Sequence, residues 1–78
     1  MNRFIDVGSA EVASTRLLDD EDVRLLGLLA RGMTGPRLAR ELGYSSATTR
    51  RRLHDLRDKT ATSTTLEAVV VAVRAGLV

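Results

Sequence analysis

Apolar residues recur at spacings of three and four in four successive stretches of this chain, the period that buries one face of a helix. In the first stretch Val23, Leu26, Leu29 and Ala30 mark the buried stripe. Asp19 stands ahead of it as the predicted N-cap, and Asp22, three positions on, completes an acidic variant of the capping box. The acids Asp19 to Asp22 also sit where the positive end of the helix dipole favours them. Gly32 predicts a stop after Arg31.

The second stretch is short. Thr34 is its expected N-cap, and Pro36 falls in the first turn, where a missing N–H costs nothing. Leu38, Ala39 and Leu42 face inward, and Gly43 ends the helix. Gly43-Tyr44-Ser45 leaves about three residues before the next helix, a spacing that forms a helix-turn-helix unit. Tyr44 is expected to plug the core with its hydroxyl reaching solvent.

A third helix is predicted over residues 46–59, capped by Ser45 or Ser46. At about 100° per residue, Thr49, Leu53, Leu56 and Thr60 share a narrow core sector. With Thr49 at 0°, Arg50 lies at about 100°, His54 at about 140°, Ala47 at about 160° and Arg51 at about 200°. That face, opposite the core, carries two long cations, a ring and one small residue that permits close approach. Arg52, at about 300°, belongs to the edge of the core sector.

Thr64 and Glu67 predict the start of a fourth helix, residues 64–75, with Gly76 at its end. The β-branched run Val69 to Val73 would suit a strand, but the cap ahead of it and the glycine behind it favour helix. Between Leu66 and Arg74 only Glu67 and Arg74 are polar, and a helix apolar almost all round must bury more than one face. Leu66, Val69, Val70, Val73 and Leu77 cluster on one side, with Ala68, Val71 and Ala72 elsewhere. One face covers the bundle, and the other is expected to meet a partner chain. Residues 1–17 lack a clear period and read as a tail, with a helical turn expected around Ala10 to Ala13.

Composition narrows the classes. Seventy-eight residues make one domain, near the lower limit for a core without staples. With no cysteine and one histidine, disulfides, thiolate metal sites and a histidine metal cage are all excluded. No nucleophile or orienting partner accompanies His54, so no catalytic role and no cofactor are expected. The acids Asp19 to Asp22 lack the ligand spacing and the Gly turn of a calcium loop. The longest strongly apolar run, Ala68 to Val73, is far short of a membrane span, and the N-terminus lacks an apolar signal core, so a cytoplasmic protein is expected. Charge is unevenly spread: residues 1–30 carry net −3, residues 31–59 net +5, and residues 60–78 balance. A basic middle in a near-neutral chain is the footprint of a polyanion partner.

From Leu18 to Val78 the chain resembles the LuxR-type (GerE-like) helix-turn-helix domain. The resemblance rests on Leu18, Leu25-Leu26, Leu28-Leu29-Ala30, Gly32, Thr34, Leu38-Ala39, Leu42 and Ser45 in the first half. It continues, ungapped, through Ala47-Thr48, Arg50, Lys59, Glu67-Ala68-Val69 and Gly76-Leu77. The chain departs from the family pattern at several places. Arg37 stands where an acid is usual, Thr60 where leucine is, and Thr49 and Thr62 where β-branched aliphatics are. Gly35-Pro36 replaces an Asn-Lys type pair, Thr65 an arginine, and Arg52 a position that is commonly histidine.

The resemblance implies an all-α, four-helix bundle over residues 18–78 that binds double-stranded DNA as a homodimer. The third helix would enter the major groove, bringing Ala47, Arg50, Arg51 and His54 to base edges and nearby phosphates. Thr34, Ser46 and Thr48 would hold phosphates at helix starts, with Arg57 and Lys59 as further backbone contacts. Leu66, Val70, Val71, Val73 and Leu77 of the fourth helix would form the dimer interface. The residues ahead of Leu18 are too few for the receiver or ligand-binding domain that such regulators commonly carry, so no small-molecule ligand is expected. Two alternatives stay open: a helical interaction module, or anti-regulator, that pairs with a related regulator without touching DNA, and the helix-turn-helix region of a sigma factor.

Overall fold

The computed structural model describes residues 17–78, so the turn expected at Ala10 to Ala13 lies outside the described residues. The fold is all-α. Among the described residues four helices follow in order: α1 (Asp20–Ala30), α2 (Gly35–Leu42), α3 (Ser46–Thr60) and α4 (Thr65–Arg74). None is long and apolar enough to cross a membrane.

Local chemistry sets the helix starts. Asp19 accepts from the Asp22 amide at 2.8 Å, and the Asp19 amide donates to the Asp22 carboxylate at 3.1 Å, the reciprocal capping box expected for α1. Thr34 precedes α2 in extended conformation but makes no side-chain cap bond; Pro36 supplies the pre-set first turn instead. Ser45, rather than Ser46, caps α3 by accepting from the Thr48 amide at 3.1 Å. Thr64 caps α4 through the Glu67 amide at 3.1 Å. Gly43 closes α2 in the left-handed conformation, φ 70°, and Ala61 does the same for α3 at φ 56° despite its Cβ.

The core gathers Leu25 and Leu26 of α1, Leu38 of α2, Leu56 of α3, and Ala68 and Ala72 of α4. Burying each leucine contributes about 1.5–3 kcal/mol. Leu18, Leu28, Leu29, Met33, Leu42, Leu53 and Val69 pack around them. On α1 the inward face is turned from the expected one. Ala30 is exposed and Val23 half-buried, while Leu25 and the charged Asp22, 2 % exposed, point inside. The cause is Lys59 of α3, whose ammonium lies 2.6 Å from the Asp22 carboxylate and lets a charge occupy a core position.

The threonines of α3 are satisfied locally. Buried Thr49 donates to the Ser45 carbonyl at 2.9 Å, and buried Thr60 to the Leu56 carbonyl at 2.7 Å. No buried side-chain polar atom among the described residues lacks a partner. On α4 the buried face is Ala68, Val71 and Ala72, the two alanines letting the helix approach α1 and α3 closely. Leu66, Val70, Val73 and Leu77 remain exposed. Val71, expected at a dimer interface, is therefore corrected to a residue of the chain's own core.

Candidate nucleic-acid interface

Helix α3 presents two charged sides with different fates. The outward side holds Ala47, Arg50, Arg51 and His54, all exposed. Arg50 and Arg51 have no ion-pair partner among the described residues. His54 Nε2 lies 3.3 Å from an oxygen of Asp58, one helical turn on, with both side chains largely in solvent. The α1-facing side holds Arg52 and Lys59, and both are engaged. Arg52 pairs with Glu21 at 3.3 Å, and Lys59 pairs with Asp22. Two ion pairs thus bolt the acidic first turn of α1 to α3, and this fixes how the outward side is presented.

Tyr44 joins the same fastening. It is half-buried in the turn between α2 and α3, its hydroxyl donates to Glu21, and the Arg52 guanidinium lies 5.8 Å from its ring centroid. It is a link between three elements, neither the core plug expected nor a free hydroxyl. Sequence reading missed Glu21 and Tyr44 as a pair because they lie 23 positions apart. The signal available was charge: an acidic helix start in a chain whose next long helix is basic on more than one side.

The remaining expected contacts fall into two groups. Thr34 and Ser46 are exposed, and Thr34 keeps its hydroxyl out of the helix cap. Thr48 is half-buried and bound into the cap, its hydroxyl accepting from Ser45 at 2.9 Å. Arg57 is half-buried and donates to the Thr65 hydroxyl at 3.1 Å, across the junction of α3 and α4. Lys59, expected at the DNA backbone, has its ammonium committed to Asp22. That carboxylate holds the Lys59 ammonium above its ordinary 10.5. The Asp22 amide holds the Asp19 carboxyl below its ordinary 3.8, helped by the charges of Lys59 and Arg52 and opposed by partial desolvation.

Two clefts flank α2. The one toward α3, about 220 Å³, is walled by Gly35, Pro36 and Ala39 on one side and by Thr49, Arg50 and Leu53 on the other. The one toward α1, about 420 Å³, is lined by Arg24, Gly27, Leu28, Arg31 and Glu41. The described residues contain no cluster of three or more potential metal ligands. Comparison of the chain with protein-family models, with curated proteins and with solved structures finds no match.

Proposed function

We propose that this chain is a sequence-specific DNA-binding regulator module of the LuxR type, which lays the outward side of α3 in the major groove and pairs with a second copy through α4. One observation carries the reading. The cations of α3 divide into those used up inside the fold, Arg52, Arg57 and Lys59, and those left exposed and uncommitted on one face, Arg50 and Arg51. Spending two ion pairs to fix a helix whose other side offers free guanidinium groups and a small Ala47 suits a part that must meet base edges in a set orientation. Arginine matches guanine O6 and N7 with two hydrogen bonds, and Arg51 lies almost directly opposite the core sector.

The test is affinity for an operator selected from a random duplex library, beside affinity for random duplex, at several salt concentrations. Arg51→Ala should cost about 1–3 kcal/mol on the operator and narrow its advantage over random DNA. If both affinities fall equally, α3 is not docked by this face. A second reading, an anti-regulator that captures a related regulator, draws on the exposed apolar row Leu66, Val70, Val73 and Leu77. It predicts no shift of any duplex by the isolated chain.

A further inference from the structure

The cleft between α2 and α3, about 220 Å³, is open because its α2 wall is built of small residues. Gly35, Pro36 and Ala39 make that wall, and a Cβ placed on Gly35 would meet no atom within 4 Å. The α3 wall is the stripe Ser46, Thr49, Arg50 and Leu53, spaced by three and four residues and about 10 Å from end to end. Floor and rim differ in character. Half-buried Ala39 and Leu53 and buried Thr49 give an apolar floor, the Thr49 hydroxyl being committed to the Ser45 carbonyl. The rim carries exposed Ser46 and exposed Arg50, and Arg50 has no ion pair among the described residues. Ser46 also opens α3, where amides have no partner within the helix. No acid lines the cleft.

Size, polarity and charge together define an occupant. The volume falls below the roughly 300–1,000 Å³ of sites that take drug-sized ligands, which leaves room for a smaller molecule. The floor suits an apolar body. One guanidinium on the rim balances one negative charge, and its fork matches a carboxylate with two N–H bonds. We propose that this cleft binds a small carboxylic acid with an aryl or short alkyl tail. Its carboxylate lies on Arg50 and the first turn of α3, and its tail against Ala39, Thr49 and Leu53. The site is independent of the DNA reading, but its consequence rests on it. An occupied cleft takes Arg50 away from the outward side of α3, so the acid lowers affinity for duplex. A ligand of this kind goes against the expectation from sequence, because a gap between two helices leaves no mark in the order of residues. Gly35-Pro36 and Thr49 are places where the chain departs from the LuxR-type pattern, so the cleft is this chain's own.

The probe is hydrocinnamate, with hydrocinnamyl alcohol as its neutral counterpart, titrated into the isotope-labelled full chain and followed by amide NMR shifts. A ligand of this size binds with a Kd of about 1 mM. The amides of Gly35, Ala39, Ser46 and Arg50 should shift together, and those of Arg24, Gly27 and Arg31 at the other cleft should not. The alcohol should bind about tenfold more weakly, and Arg50→Gln should bind the acid no better than the alcohol. Ala39→Leu fills the cleft from its α2 wall. Gly35→Leu enters open space and closes one end without crowding the bundle. Each, with helicity unchanged by circular dichroism, should abolish the shifts. Acid at about ten times its Kd should lower wild-type affinity for random duplex, by about elevenfold where the two exclude each other completely. The same acid should leave the duplex affinity of Gly35→Leu where it was.

Absent shifts in wild type, shifts that persist in both filled variants, or an alcohol that binds as tightly as the acid would each overturn the site. Shifts confined to the cleft with duplex affinity untouched would remove the competition. If the acid binds in the cleft and the chain binds no duplex, the DNA reading falls and the site stands. If duplex binds and the acid does not, the site falls and the DNA reading stands.

Discussion

Asp22 is where the first and third helices meet. Its carboxylate takes the Asp19 amide and the Lys59 ammonium on the same oxygen, while Asp19 caps the helix from outside. These groups give the stability curve its shape. The Asp19 carboxyl is held below 3.8, so its contribution is full above that value and drains away as pH falls through the lower, folded value. Asp19→Asn keeps a cap acceptor that does not titrate, and should flatten the acid limb of the unfolding curve below pH 3.8, followed by circular dichroism. Lys59 works in the opposite direction: its contribution is full below 10.5 and lost only as pH rises through the higher folded value, so that contribution is constant across the neutral range. Thr60 differs in kind. The Leu56 carbonyl already accepts an amide within α3, so its bond from the Thr60 hydroxyl is supplementary. Thr60→Val removes a buried hydroxyl but also the 2.9 Å partner of the Thr62 hydroxyl. The two effects oppose, so stability should change by less than about 1 kcal/mol in denaturant titration.

At the scale of the element, α4 has two apolar faces with different duties, and substitution by glutamate separates them. Val71 is 8 % exposed against the bundle and Val70 is 41 % exposed away from it. Val71→Glu buries an unpaired carboxylate, a cost of several kcal/mol set against a total stability of about 5–15, and should leave the chain largely unfolded. Val70→Glu should keep the circular-dichroism spectrum and shift the sedimentation of any dimer toward monomer. Unchanged sedimentation by a chain that is dimeric beforehand would remove α4 from the interface. The same helix shows what the sequence could convey. Its start and end, those of α1 and the start of α3 were legible because caps are local, a matter of three or four neighbouring residues. The end of α3 carried no such signal, because an alanine, Ala61, takes the left-handed position. Which side of α4 turned inward was not legible, because hydropathy is nearly uniform around it; side-chain size decided, through Ala68 and Ala72. The inward face of α1 was misread for a different reason. A carboxylate belongs to solvent in any hydropathy pattern, and the cation that draws Asp22 inside lies 37 positions away. The outward arginines of α3 were legible as a face, whereas the diversion of Lys59 and Arg52 to the acids of α1 depended on tertiary approach.

For the whole molecule, the acidic front and basic middle of the chain are not two separate patches. Part of each cancels in the fold, at Glu21–Arg52 and Asp22–Lys59. The exposed arginines without an ion pair among the described residues are Arg24 and Arg31 at α1, Arg37 and Arg40 on α2, and Arg50 and Arg51 on α3. A ligand that binds only the folded state at about a hundred times its Kd adds about 2.7 kcal/mol of stability. For a domain this small that corresponds to a rise in Tm of about 10–20 °C. Operator duplex should produce such a rise in a thermal melt, and an absent rise at saturating duplex would count against DNA as the partner. The bolt between Asp22 and Lys59 also imposes an order on biosynthesis. The carboxylate leaves the ribosome before its counter-ion, by a few seconds at about 5–20 residues per second. Until Lys59 is made, closing α1 over its leucines would strand a charge, so the nascent chain has no reason to fold stepwise. A product terminated short of Lys59 is then an open chain with exposed leucines, a substrate for proteases.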